Sequence, residues 1–447
     1  MKTSKLMATL EEGLSEIPLL DAHTHLDASH LAARGLHDVL LYHMAISDLA
    51  SAGCPSRGRL SEDPDEAEVE ARLAEALPYL GYIQNTSCFW GLRLILSELY
   101  DWRKPLTADN WRKLHALICE RATDPAWPRE ILKRAGVRRA CTELWRRREG
   151  SADDVLQYSL EWAFFTRAQW GVNDIPLYEL ERAWNQPGPG APLPVTMGQG
   201  RPEVARPIHA LDDVRAAIAH YVAHIPYGQV LSTAQHISTD INFRLVTEEE
   251  MAAALSRRHQ ATPAERDIYA SYILEAFLTE LERHAGEIVY QFSLGAEPLP
   301  FETGSKLRQE TIFELAAFIA RHPRLRFQVF LSSAHANQAL CTLARELPNL
   351  SLAGYWWQNF FPSVIRQVIS ERLDMVAANK QVGFFSDAYC VDWTYAKVIL
   401  VRKQWAEVLA QKVRQGQYTI DDALAIARQT LFETPQTLLG MRLASNA

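Results

Sequence analysis

Asp21-Ala-His23-Thr-His25 sets two imidazoles two residues apart, directly after the apolar run Ile17-Pro-Leu-Leu20. On a β-strand, residues i and i+2 face the same side, with Cβ atoms roughly 6–7 Å apart. From there both rings reach one divalent ion at about 2.0–2.1 Å, while Thr24 faces away. A third donor stands near the other end of the chain, where Val382-Gly-Phe-Phe-Ser386 runs into Asp387. A carboxylate just past an apolar strand sits at the C-terminal edge of a sheet, where barrel enzymes hold their chemistry. Two imidazoles and one carboxylate make a site for Zn²⁺ or a similar ion, with open positions for substrate. The plainer alternatives are polar residues at a strand end for His23 and His25, and a helix cap for Asp387.

Such a site needs strands that bring both ends of the chain together. Eight short apolar, β-rich runs recur: Ile17–Leu20, Val137–Thr142, Leu193–Met197, Gln229–Ala234, Glu287–Ser293, Arg326–Ser332, Leu350–Trp356 and Gln381–Ser386. Amphipathic helices lie between several of them, clearest at Leu307–Arg321, Ala336–Glu346 and Pro362–Ala377. Strands alternating with helices imply a parallel sheet, and eight units imply closure into an α/β (β/α)8 barrel. Closure sets strand eight against strand one, and so Asp387 beside His23 and His25. A doubly wound open sheet is the alternative, but no G-x-G-x-x-G opens a helix. The stretch from about 60 to 135 reads as a helical insertion, and about 150–183 as a second one. The tail Ile420–Leu439 also reads as helix, and the whole chain, 1–447, reads as one domain.

Composition narrows the function. Of 447 residues, 48% are apolar and 22% charged, ordinary for a soluble globular protein. A net charge of −8 argues against nucleic acid as a partner, because a phosphate backbone would be repelled. Six scattered cysteines form no C-x-x-C pair, and Met1–Leu10 carries two lysines without an apolar segment. The expectation is a cytoplasmic protein with reduced thiols, no secretion signal and no membrane span. Exposed helical faces leave room for a homo-oligomer.

The two ends of the chain resemble a known family. His-x-His after the first strand and Asp after the eighth are the signature of the amidohydrolase superfamily of metal-dependent barrels. Within it, Asn349-Leu-Ser-Leu-Ala-Gly-Tyr-Trp356-Trp357-Gln-Asn-Phe-Phe-Pro-Ser-Val-Ile, followed by Phe385-Ser-Asp387-Ala-Tyr389, resembles uronate (glucuronate) isomerase. Asp21-Ala-His23-Thr-His25-Leu and Tyr42-His43…Ala52-Gly53 are similar to that family's first βα unit. The resemblance is strong over roughly 17–54 and 349–440. It implies an aldose–ketose isomerase that converts a hexuronate or related sugar acid, as glucuronate to fructuronate, through an enediol. It also implies one divalent metal, zinc by expectation, held by His23, His25 and Asp387, with Asp387 shuttling protons. By the same resemblance His43 contacts sugar hydroxyls, Trp356 and Trp357 form an apolar wall under the ring, and Tyr389 stands at the substrate. An ordinary polar helix residue for His43, and a core residue for one tryptophan, are the alternatives.

The departures concern the substrate's carboxylate. Tyr389 stands where the family has arginine, Met44-Ala-Ile-Ser47 replaces its Lys and Arg positions, and Ser293 replaces a strand-five histidine. Arginine to tyrosine removes a fixed charge and a bidentate fork. Arg93, Lys306 and Arg308 are candidate replacement cations. His236 and His335, near the ends of strands four and six, are further candidate ligands or acid–base groups, with a structural role as the alternative. The lost anchors leave open a metal-dependent hydrolase of a sugar-derived ester, lactone or amide, and a non-catalytic barrel that binds carbohydrate or protein.

Overall fold

The computed structural model describes residues 3–56, 58, 60, 63–148, 152–161, 175–185, 205–237, 243–258, 262–295, 307–308, 310–355 and 361–443. Its eight strands are β1 (Leu19–Asp21), β2 (Val137–Glu143), β3 (Leu156–Glu161), β4 (Val230–His236), β5 (Val289–Leu294), β6 (Arg326–Leu331), β7 (Leu350–Ala353) and β8 (Gln381–Val382). They form one sheet in the order β1 to β8, and every neighbouring pair is parallel. Parallel neighbours require crossovers, and helices supply them, for example Glu310–Arg321, Asn337–Glu346 and Pro362–Met375. Strands covered on both faces read as near-continuous apolar runs, which is why β5 is buried at all six positions.

The two edges of this curled sheet meet beyond its regular strands. Past β1 and β8, the Asp387 amide donates to the His23 carbonyl at 3.0 Å, and the His25 amide donates to the Ala388 carbonyl at 2.9 Å. The Thr24 hydroxyl donates to the same Ala388 carbonyl at 2.8 Å, and the Ser386 amide donates to Asp21 Oδ1 at 2.7 Å. Four hydrogen bonds thus tie the first and last strand ends together, which is what the chemistry of 21–25 and 387 required.

One strand lies elsewhere than the sequence indicates. The third place in the sheet belongs to β3, paired with β2 on one side and β4 on the other. It falls inside the stretch read as a second helical insertion, about 150–183, whose described residues also hold a helix at Ile175–Trp184. Leu156, Tyr158 and Leu160 alternate with polar residues, the period of a strand, and parallel partners on both sides complete it. The Leu193–Met197 run lies outside the described residues. Between β1 and β2 the elements are helical, among them Glu66–Ala76, Ser87–Leu94, Trp111–Ala122 and Trp127–Ala135. The tail is helical at Ile420–Arg428 and Thr434–Leu439, with a π turn between.

Gly354, just after β7, is held to glycine by its surroundings. Its φ is +48°, and a Cβ there would come within 1.9 Å of the Phe385 ring. That close approach seats Phe385 against the metal-type donors described next. Among the described residues no helix is long and apolar enough to cross a membrane, and all six cysteines are free thiols.

Candidate metal centre

His23, His25 and Asp387 each offer a ligand atom, and the three atoms lie within 4.8 Å of one another. Asp387 Oδ1 lies 3.6 Å from His23 Nε2 and 3.2 Å from His25 Nε2. Ligand atoms on a tetrahedral ion with bonds of about 2.1 Å stand about 3.4 Å apart, so these separations suit a shared ion. The two rings meet edge to face with centroids 5.0 Å apart. Phe330 and Phe385 flank His23 at 5.0 and 5.7 Å and make that side of the site apolar.

Protonation favours ligation. Burial, followed by the neighbouring His25 charge, lowers the pKa of His23 to about 4, so its imidazole is neutral at pH 7 with a lone pair to give. Burial opposes ionisation of Asp387, but the His25 hydrogen bond and the charges of His25, Lys397 and His23 outweigh it and hold the carboxyl well below the usual range. Burial also pushes the Asp21 carboxyl up to about 7, against its hydrogen bonds with Ser386.

Glu143 completes the arrangement from β2. Its Oε1 lies 2.5 Å from His25 Nδ1 and its Oε2 lies 2.9 Å from Arg146 Nε. A carboxylate on Nδ1 keeps a proton on that nitrogen, so Nε2, which faces Asp387, is the atom left to give a lone pair to an ion once its own hydrogen bond to Asp387 is given up. Glu143→Gln is expected to lower metal affinity about 10–100-fold, the usual cost of losing such an outer partner. Competition against a chromophoric chelator measures it, and unchanged affinity would remove Glu143 from this role.

Asp387 occupies an unusual backbone position. Its φ is +53°, in the left-handed region that costs a typical L-residue roughly 1–2 kcal/mol and that Asp tolerates better than most. Tyr42 Oη donates to the Asp387 carbonyl at 2.8 Å. Lys397, fully buried on the helix Val391–Arg414, reaches the Ser386 carbonyl at 2.5 Å, the Asp387 carbonyl at 3.3 Å and Tyr42 Oη at 2.8 Å. Burial lowers the Lys397 pKa to about 8, with the Asp387 charge opposing. This ammonium and this phenol hold the turn that aims the carboxylate at the histidines.

Two further expected residues join them. Tyr389 stacks on His25 with centroids 4.8 Å apart, and His43 meets Tyr389 edge to face at 5.7 Å. His43 is buried at the start of the helix His43–Ser51. Trp356, Trp357 and Lys306 lie outside the described residues. Arg93 is exposed on the helix Ser87–Leu94, and Arg308 pairs with Glu314 at 3.0 Å. His335 is exposed on a turn after β6, and Ser293 pairs in register with His236 across β4 and β5.

A cation also stands beside the site. The Arg146 guanidinium lies 5.9 Å from the Tyr389 ring centroid and 4.1 Å from that of Trp145. Glu143 carried the same strand-end signal as Asp387 and was within reach of sequence reasoning. Lys397 carried a fainter one, a lone lysine inside Tyr395-Ala-Lys-Val-Ile-Leu-Val401.

Solved structures share this fold. Glucuronate isomerase from Caulobacter crescentus superposes with a TM-score of 0.77 at 16% identity, covering 99% of this chain and 95% of that one. Uronate isomerase from Thermotoga maritima gives 0.76 at 14% identity, covering 97% of each chain. A uronate isomerase from Bacillus halodurans gives 0.69 at 15% identity, covering 99% and 98%. No protein-family model matches the sequence, and no curated protein matches it. The resemblance read from the two ends of the chain therefore extends, in fold, over nearly its whole length.

Proposed function

We propose that this chain is a metal-dependent aldose–ketose isomerase acting on a hexuronate or a related sugar acid, built on a (β/α)8 barrel of amidohydrolase type. The observation that carries the reading is the convergence of His23, His25 and Asp387 at one end of a sheet shared in fold with uronate isomerases. The mixed imidazole–carboxylate set suits one divalent ion, zinc first among the common ones. When bound, that ion supplies Lewis acidity toward the substrate's carbonyl and hydroxyl oxygens.

The chain's own residues do the rest. Isomerisation takes a proton from C2 and returns one to C1, and the ionised Asp387 carboxylate is the group assigned to that transfer. Phe330 and Phe385 keep water from the His23 side. The stacked Tyr389 and the adjacent His43 are assigned to the sugar's hydroxyls, with Trp356 and Trp357 as an apolar wall. Arg146, beside Tyr389, is assigned to the acid group, in place of the family's arginine at position 389. A cytoplasmic location goes with this reading, since none of the six thiols is paired.

Arg146→Gln is expected to raise KM for D-glucuronate about 10–100-fold with a smaller change in kcat. A fall in kcat at constant KM would instead tie Arg146 to Glu143 and His25. The reading as a whole is tested by elemental analysis of the purified protein, paired with NMR of glucuronate and galacturonate incubations. Metal with ketouronate formed supports it. Metal without turnover favours the hydrolase of a sugar-derived ester, lactone or amide, which uses the same donors and which the tyrosine at 389 keeps in view. A protein that retains no metal is a non-catalytic barrel.

A further inference from the structure

The opposite end of the sheet holds a second constellation. In a parallel sheet all strand starts lie on one side, and Arg139 precedes Glu143 by four residues of β2, roughly 13 Å at 3.3 Å per residue. There a cavity of about 670 Å³ is lined by the starts of β3, β4 and β6 and by the segment 439–443. Arg139, Arg147, Arg326 and Arg442 face it, against only Asp153 and Glu287.

Two of these arginines make no close ion pair. Arg147 pairs with Asp153 at 3.0 Å. Arg139 is 7% exposed, donates through Nη1 to the Asp153 backbone carbonyl, and buries an Nε–H that meets no acceptor. Arg326 donates to the Leu438 carbonyl at 3.1 Å and the Gly286 carbonyl at 2.9 Å, and its Nε–H is likewise buried without an acceptor. Among the described residues, neither Arg139 nor Arg326 forms an ion pair with a carboxylate. Carbonyl oxygens carry no net charge, and a guanidinium does not shed its proton in a protein. A charge held this way, partly out of water, is costly until an anion meets it. Burial lowers the guanidinium pKa of both from its ordinary value, alone in Arg326 and against the more distant Asp154 and Asp153 charges in Arg139.

We infer that this cavity binds a small oxyanion of the phosphate class, seated on Arg139 and Arg326 with Arg442 at its rim. Planar guanidinium forks match the oxygens of phosphate, and the excess of two positive charges matches a dianion. The site is separate from the metal-type donors and stands whether or not the isomerase reading does.

Titration calorimetry of the full chain with inorganic phosphate tests it. Saturable binding near one per chain is expected, with Kd below about 1 mM. Arg139→Met and Arg326→Gln should each weaken it at least tenfold, and the exposed Arg442→Gln, which puts folding least at risk, severalfold. Phosphate should raise the thermal midpoint of the unsubstituted protein, and this shift should vanish in Arg139→Met. His23→Ala should bind phosphate as the parent does. No saturation up to about 10 mM, a range that would still register the weakest specific sites, overturns the inference. So does binding that survives all three arginine substitutions, or binding lost in His23→Ala, which would place the anion at the other end.

Discussion

His23→Ala is expected to strip the purified protein of its metal and to cut turnover of any substrate by roughly 10³-fold or more, while leaving the fold in place. The ring supplies one of three clustered donors among the described residues, and its distance from Asp387 Oδ1, 3.6 Å, is that of two ligands on one ion. The edge closure here does not run through the side chain but through the His23 carbonyl, which accepts from the Asp387 amide, while the ring packs on Phe330 and Phe385. Circular dichroism should therefore match that of the unsubstituted protein, with the thermal midpoint moved by a few degrees at most. Elemental analysis and NMR of sugar-acid incubations read the two losses. Metal retained at the parent level, or full activity without metal, would remove the His23–His25–Asp387 centre from the account.

Lys397→Met is expected to damage both the fold and the site, for reasons that can be told apart. Met fills nearly the same volume, so packing changes little. The Ser386 carbonyl, the Asp387 carbonyl and Tyr42 Oη all lose a buried charged donor, at a cost of about 2–4 kcal/mol in stability. The second effect is on position. Asp387 sits at φ +53°, and the Tyr42 hydroxyl is then left to hold its carbonyl without the ammonium behind it. Metal affinity should fall about 10–100-fold, as it does when other outer supports of a ligand are lost. Denaturant unfolding measures the first loss and chelator competition the second, at a denaturant-free temperature well below the midpoint. A stability loss with unchanged metal affinity would make Lys397 a core residue alone and leave the aim of Asp387 to Tyr42.

How much of this was legible before the fold was known depends on how local the cause is. Strands with β-branched and aromatic runs bounded by helices, such as β5 and β6, stand out because burial on both faces demands apolar residues in series. β3 did not, because Leu156-Gln-Tyr-Ser-Leu-Glu161 alternates apolar and polar residues instead of running apolar in series, a period-two signal that its two parallel neighbours make good. Spacing also shaped β8, which is regular over just Gln381–Val382 and then bends through 383–388 to meet the first strand. Among the site residues, His23 and His25 announce themselves by period two, and Asp387 by following an apolar run. Tyr389 and His43 were legible through resemblance, and they stand together beside His25. Glu143 follows an apolar run as Asp387 does, but Arg146 and Lys397 come to the site from just beyond β2 and from the last long helix, across separations in sequence that no pattern encodes.

What the amino-acid sequence determined by itself is the identity and local geometry of the donors: two imidazoles on one face of a strand end and a carboxylate after the last apolar run. Those follow from backbone periodicity, which acts over two or three residues and needs no partner. What only the tertiary structure decided is which charges attend them. Glu143 orients His25, Lys397 holds the Asp387 turn, and Arg146 lies against Tyr389, while at the far end Arg139 and Arg326 face a cavity with no ion-pair partner among the described residues. Electrostatic partnership depends on distance in space and on burial, and both are set only once the two edges of the sheet have met.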